Sequence, residues 1–308
     1  MPSVLRPALY ATPEQAAPVT RAQTRDYFTE VAEDYRAWSP SYNMHFGFWR
    51  LGLNPLRREG MLVEMNRVVG RALHLDLPAD GPSRRCVVDL GCGAGATART
   101  LVGEHAGLYA VTVTNVPVQN RIAARLDAQA GVAERMAHVE ADYTRTGLPA
   151  AQADGAWAVE SACYAQGSDK ADFAREAARL LKPGARLAVV DGFLLRREPS
   201  RLGGWLHRLW ADSWAVPTLA VRDDFVKALA ASGFEDIQVR SLRWRVAPTA
   251  LHIPVLATRF TLAELWKARG RLSPWRRKHI VASYCALLLG MFWRDFDYCM
   301  VTATRRAD

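Results

Sequence analysis

Nine consecutive residues, Val87, Val88, Asp89, Leu90, Gly91, Cys92, Gly93, Ala94 and Gly95, constrain this chain more than any others. They read as an apolar strand carrying one buried carboxylate, then a glycine hairpin, then the start of a helix near Ala96. Glycines without a Cβ let the backbone approach a ligand closely. The first N–H groups of the helix have no intrahelical partner and are left for a carboxylate or hydroxyls. Such a strand, turn and helix imply an α/β fold with a nucleotide-like ligand on the turn.

Spacing alone leaves two cofactors open, because Gly91, Gly93 and Ala96 also satisfy the G-x-G-x-x-G/A pattern of nicotinamide and flavin enzymes. The second expected strand, Tyr109 to Asn115, separates them. A dinucleotide site places an acid on the ribose about 20 residues beyond the glycines; here Thr112 and Thr114 stand there, with Gln119 following. A third unit, Ala137 to Ala141, leads into Asp142 and Tyr143, a carboxylate at a strand end suited to an adenine amino group. The fourth strand, Gly155 to Val159, ends at Glu160. A helix from Lys170 to Leu181 then passes through Lys182, Pro183 and Gly184 into the strand Arg186 to Asp191.

From Asp89-Leu90-Gly91-Cys92-Gly93-Ala94-Gly95 through Asp142 to Leu181-Lys182-Pro183-Gly184, the chain resembles the class I S-adenosylmethionine-dependent methyltransferases. The resemblance covers residues 25 to 242 and the last strand. It implies a Rossmann-like seven-stranded α/β sheet with helices on both faces, closed by an antiparallel strand at Phe296 to Thr304. It also implies S-adenosyl-L-methionine as cofactor, held by Asp89, Gly91, Cys92, Gly93, Gly95, Thr112, Thr114, Gln119, Asp142 and Tyr143.

Aromatic residues crowd the segment before the first strand: Tyr27, Phe28, Tyr35, Trp38, Tyr42, Phe46, Phe48 and Trp49. Too polar and glycine-interrupted for a core helix throughout, it reads as a lid. Its Tyr-x-x-Trp and His-Phe-Gly-Phe-Trp motifs are similar to the cap of the tocopherol, sterol and cyclopropane-forming methyltransferases. That resemblance implies that Tyr35, Met44 and His45 reach the cofactor, with His45 lining the reaction pocket. The expected organisation is an arm over 1–22, a helical lid over 23–75 and a methyltransferase domain over 76–308. Two tryptophan-rich insertions, about 194–217 and 243–295, should roof the site as a helical cover, either side of a helix Arg222 to Ser232 and a strand Phe234 to Leu242.

Methyl transfer from a sulfonium is an in-line displacement. Oxygen and nitrogen acceptors want a base, whereas an alkene generates a carbocation that ring faces stabilise and a base then quenches. Glu160 is the natural carboxylate, with Tyr164 beside it. The segment Glu160-Ser161-Ala162-Cys163-Tyr164 departs from the Glu-Ser-x-Glu-His pattern of tocopherol and sterol enzymes and is closer to a Glu-Ser-x-x-Tyr form of prenyl diphosphate C-methyltransferases. Geranyl or farnesyl diphosphate, with Mg²⁺ bridging and cyclisation following methylation, is therefore the leading acceptor. Arg50, Arg57, Arg58, His45, His207 and His252 are candidate diphosphate ligands. The competing acceptor is a phenol, quinone or lipid, favoured by the tocopherol-like Ser213-Trp214-Ala215-Val216-Pro217 and Val246-Ala247-Pro248.

The 308 residues are half hydrophobic, enough for a large core, and carry a net charge of +9, which favours anionic partners. An RNA-binding or RNA-modifying protein is the alternative from another class, and a cofactor-binding regulator without turnover is a third. Against the former, the aromatics are interleaved with aliphatic rather than basic residues, so no nucleic-acid partner is expected. The proline-rich start lacks a signal-peptide core, and the longest apolar run, Ile280 to Phe292, is too short to span a bilayer. A cytoplasmic protein without stable membrane insertion is expected. The five cysteines show neither paired C-x-x-C spacing nor a zinc interval to histidine, so reduced thiols and no protein metal site are expected.

Overall fold

The computed structural model describes residues 19–76, 84–267, 269 and 271–307. Its sheet contains β1 (Arg85–Leu90), β2 (Leu108–Thr114), β3 (Met136–Glu140), β4 (Ala153–Val159), β5 (Leu181–Leu194), β6 (Ala220–Val221), β7 (Phe234–Ser241) and β8 (Phe296–Arg305). The order is β3-β2-β1-β4-β5-β8-β7, and the two-residue β6 pairs β5 off this path. Strands β1 to β6 pair in parallel, while β8 lies antiparallel between β5 and β7. This is the expected Rossmann-like sheet with its antiparallel closing strand, and β6 is an addition too short for any periodic signal.

The helices are α1 (Arg21–Val31), α2 (Arg58–Ala72), α3 (Ala96–Glu104), α4 (Pro117–Gln129), α5 (Ala171–Leu180), α6 (Arg201–Ser213), α7 (Arg222–Ala231), α8 (Arg243–Ala250), α9 (Ile253–Lys267) and α10 (Pro274–Leu289). Alternation along β1 decides the two layers. Val88 and Leu90 join Phe173 of α5 and Phe225 of α7 on one face, while Val87 joins Met65 and Val69 of α2 and Leu101 of α3 on the other. Each such buried aliphatic side chain contributes about 1.5–3 kcal/mol.

Two expected boundaries move. Lys182-Pro183-Gly184 falls inside β5, because Leu181 already pairs with Ala153 before the register shifts to Gly155 and Arg186. The expected arm over 1–22 lies outside the described residues as far as 18, and its end is already helical: the Thr20 side chain caps Gln23 and Gln23 returns the bond, opening α1. Within the expected lid, α2 is core rather than cover, with Met61, Leu62, Met65 and Val69 fully buried. Both insertions are helical, α6 in the first and α8, α9 and α10 in the second. Among the described residues, no helix is long and apolar enough to cross a membrane, and all five cysteines are free thiols.

Candidate active site

The strand order reverses between β1 and β4, so the crevice beyond their carboxyl ends is where an open α/β sheet receives a ligand. The glycine hairpin leaves β1 there, and Glu160-Ser161 leaves β4 beside it. Ser161 Oγ donates to the Leu90 carbonyl at 2.6 Å, drawing the two loops together. A Cβ on Gly91, whose φ is +84°, would lie 2.5 Å from Ser161 Cβ. On Gly93, at φ +52°, it would lie 2.8 Å from the Met44 sulfur. Glycine is required at both by handedness and by space.

A cavity of about 960 Å³ opens from this crevice. Of the residues expected from the sequence, Tyr35, Met44, His45, Asp89, Gly91, Cys92, Gly93, Thr114, Gln119, Asp142, Tyr143, Glu160 and Tyr164 line it. Two do not. Thr112 is wholly buried in the sheet, its hydroxyl 2.8 Å from His138 Nδ1 on β3, because it lies two residues short of the strand end, where Thr114 on the same face of β2 reaches the cavity. Gly95 serves as the left-handed N-cap of α3, with φ +74°, and turns away toward Ala123.

The lining fits S-adenosylmethionine. The glycine cradle is closed to any side chain, α3 begins at its edge, and burial pushes the Asp89 carboxyl up to about 7, where a neighbouring cationic group would hold it ionised. At the end of β2, Thr114 donates its hydroxyl to Gln119 at 2.7 Å. Asp142 accepts from the backbone and hydroxyl of Thr144 through one oxygen, and its other oxygen pairs with Arg21 of α1 at 2.8 Å, so the lid helix sits against the expected adenine contact. Tyr143 donates to the Ser161 carbonyl and acts as a wedge under the loop.

Glu160 joins sheet, lid and cavity. Its backbone is held at φ +48°, unusual for a residue with a side chain and a common mark of a functional site. Oε1 accepts from the Phe46 N–H in the lid and from the Tyr298 hydroxyl on β8, each at 2.6 Å. Oε2 takes no hydrogen bond from any described residue. Burial pushes the carboxyl up to about 8 despite both donors. Asp191, within β5, is likewise raised by burial, to about 6, and is steadied by the Cys163 and Gly192 N–H groups.

His45 was expected to be catalytic, but its geometry is that of a brace. Nδ1 lies 2.9 Å from the Phe46 carbonyl and Nε2 2.9 Å from Asn66 Oδ1, and burial lowers its pKa, so the ring ties the lid to α2 with no nitrogen left for an acceptor. The sequence did not single out His279 of α10, Tyr298 or Asp191. His279 lines the cavity with Nδ1 2.6 Å from the Tyr27 hydroxyl of α1, and burial pushes its pKa down to about 4. No local motif marks it, because lid and cover meet only in three dimensions. Arg276 clamps the same junction, pairing with Asp34 and Glu264 at 3.0 Å each.

The candidate diphosphate ligands do not converge. Arg50 pairs with Glu64 at 3.0 Å, Arg58 lies over the Trp38 ring, Arg57 is exposed, His207 is buried against Trp210, and His252 bonds the Pro55 carbonyl; of the six candidates, His45 alone lines the cavity. The two arginines that do are committed, Arg21 to Asp142 and Arg243 to Asp297 at 3.1 Å and to the Phe296 carbonyl. Among the described residues, no three His, Cys, Asp or Glu side chains are grouped to hold a metal ion. Rings and aliphatic chains form the rest of the wall, including Phe28, Tyr164, Trp210, Trp214 and Phe260.

Fold, glycine cradle and carboxylates together define a class I S-adenosylmethionine-dependent methyltransferase domain. Residues 88–189 match the methyltransferase domain family. Over 214 residues the chain is 28% identical to a probable chloroplastic tocopherol O-methyltransferase of Oryza sativa subsp. japonica, a match covering 67% of this chain and 58% of that protein. It is 30% identical over 168 residues to a 2-methyl-6-phytyl-1,4-hydroquinone methyltransferase of Synechocystis sp., covering 54% and 51%. The chain thus spans between half and three fifths of these two relatives. In fold it is similar to the geranyl diphosphate C-methyltransferase of Streptomyces coelicolor A3(2), solved with Mg²⁺, geranyl-S-thiolodiphosphate and S-adenosyl-L-homocysteine, with a TM-score of 0.68 at 16% identity over 94% of this chain and all of that one.

Proposed function

We propose that the protein transfers a methyl group from S-adenosylmethionine to an uncharged, hydrophobic, ring-bearing small molecule of the phenol or hydroquinone kind. The observation that carries this reading is the chemistry of the cavity wall: largely apolar and aromatic, with Glu160 the most raised of several buried carboxyls and no uncommitted arginine or lysine among the described lining residues. The relatives' names, tocopherol and phytyl-hydroquinone methyltransferases, agree with it.

When bound, the cofactor supplies an electrophilic methyl on a sulfonium. The chain's own part is alignment and proton handling. Trp210, Trp214 and Phe260 exclude water and fix the acceptor ring, an orientation worth several orders of magnitude in rate. Glu160 is the base: a pKa near 8 makes its carboxylate a stronger base than a free glutamate, the ionised form that takes the proton grows as pH rises toward 8, and Oε2 is the oxygen that takes no hydrogen bond from a described residue. Phe46 and Tyr298 hold that carboxyl in place, so lid position and base position are one variable.

The prenyl diphosphate reading is the competitor. It needs a basic cluster that the described cavity residues do not form, and the fold likeness to a geranyl diphosphate enzyme does not supply one. Methyl-labelled cofactor, offered phenols and hydroquinones beside geranyl and farnesyl diphosphates with Mg²⁺, tests both. Label in a phenolic or hydroquinone product, lost in Glu160→Gln, supports the proposal. Label only in a prenyl diphosphate, acyclic or cyclised, overturns it.

A further inference from the structure

The mouth of the cavity is itself apolar and exposed. Trp244, Leu251, Met291 and Trp293 line the cavity while remaining 81%, 68%, 71% and 55% accessible. A soluble domain ordinarily does not leave two tryptophans bare at the rim of its own pocket.

The bare surface continues along α9. Val255, Leu262 and Trp266 are 62%, 64% and 87% exposed. With Arg259 they fall on one side of the helix by their three- and four-residue spacing, an outward face left uncovered by the described residues. The loop before α2 extends it, since the Trp49 N–H donates to the Arg245 carbonyl and His252 bonds Pro55, which brings exposed Leu51 and Leu56 beside α8.

The charge on this part of the chain has one sign. From Arg243 to Arg294 there are ten lysines and arginines and a single acid, Glu264, which is buried and paired inward with Arg276 and Lys267. Arg259 and Arg294 stand exposed among the apolar side chains, Arg294 over the Trp293 ring. Tryptophans and leucines flanked by arginines match the boundary of a bilayer with anionic headgroups, where the rings and chains enter the acyl edge and the guanidinium groups meet phosphate.

We propose that the face formed by α8, α9 and the cavity mouth docks on an anionic lipid bilayer, so that the acceptor enters the cavity from the membrane without crossing water. The choice of a lipid-soluble acceptor rests on the function proposed above, but the docking does not require turnover and is measured without it.

The full chain is floated with vesicles of phosphatidylcholine alone and with phosphatidylglycerol added, at low and high salt, for wild type, Leu262→Ser/Trp266→Ser and Arg259→Glu. None of the three substituted residues lines the cavity. Wild type should float with the anionic vesicles at least tenfold more than with the neutral ones and be released by salt. Both variants should lose most of this binding while keeping the melting temperature and cofactor affinity of wild type. Absence of flotation on anionic vesicles, or variants that float as wild type does, overturns the proposal. So does a wild-type dimer in sedimentation that Leu262→Ser/Trp266→Ser converts to monomer, which would make this face an interface between copies. Docking without phenol methylation would sink the substrate reading alone.

Discussion

Replacing Glu160 by glutamine should stabilise the protein at alkaline pH and leave it almost unchanged at pH 5. Burial holds the carboxyl at about 8 against 4.5 for a free glutamate, so between those values the unfolded chain is ionised while the folded one keeps its proton. With the folded pKa raised, the favourable difference is complete below 4.5 and lost as pH climbs to 8. At about 1.4 kcal/mol per unit, integration from pH 5 to pH 8 gives a loss of roughly 3–4 kcal/mol relative to a neutral isostere. Glutamine retains an acceptor for the Phe46 N–H and the Tyr298 hydroxyl, so it keeps both hydrogen bonds without that loss. Asp89 and Asp191, whose raised values act in the same direction, are present in both proteins and cancel in the difference. At roughly 2 °C per kcal/mol for a domain this large, the variant should melt about 7 °C above wild type at pH 8 and within about 2 °C at pH 5. Calorimetry of the cofactor-free proteins at intervals from pH 5 to pH 8 reads this directly. Parallel curves would mean that Glu160 is ionised in the folded protein at neutral pH, and the account of it as a base poised near 8 would fail.

Gly93→Ala, forced to φ +52° with its Cβ 2.8 Å from the Met44 sulfur, should weaken S-adenosylmethionine binding tenfold or more; titration calorimetry should show part of the loss recovered by adding Met44→Ala. Lys170, fully buried, donates to the Cys163, Ala165 and Thr218 carbonyls, so Lys170→Met should cost about 3 kcal/mol in urea unfolding by stranding three buried acceptors, and an unchanged midpoint would contradict this. His279, held down to about 4, resists a proton that the unfolded chain accepts below 6.5, so its contribution is present above 6.5 and lost as pH falls to 4. His279→Phe should therefore flatten the acid limb of the stability curve by about 3 kcal/mol over that window, and acid melts that superimpose on wild type after a constant offset would refute it.

Local pattern was enough for the cofactor half of the molecule. Strand, glycine turn and helix are contiguous from Val87 to Glu104, and the later strands with α4 after β2 and α5 after β4 keep the α/β alternation, so local pattern gave the α/β class and the ligand turn, while the family resemblance gave the closed sheet order. Thr112 and Gly95 were misplaced within that half for reasons of direction. Thr112 sits two residues inside β2, below the strand end where Thr114 of the same face meets the cavity, and Gly95 takes its left-handed φ as the N-cap of α3, outside the cavity lining.

The acceptor half was decided by contacts between segments far apart in sequence. His279 meets Tyr27 across 252 residues, Arg276 meets Asp34 across 242, and Tyr298 reaches Glu160 across 138. The fold also brings both His45 nitrogens to Phe46 and Asn66 and places Arg50, Arg57, Arg58, His207 and His252 outside the cavity lining. By itself the sequence determined the fold class, the cofactor cradle and the place of Glu160, because each is written in residues a few positions apart. Only the tertiary structure decided which groups face the acceptor and how they titrate, because burial and long-range pairing do not exist until the lid and the cover close on the sheet.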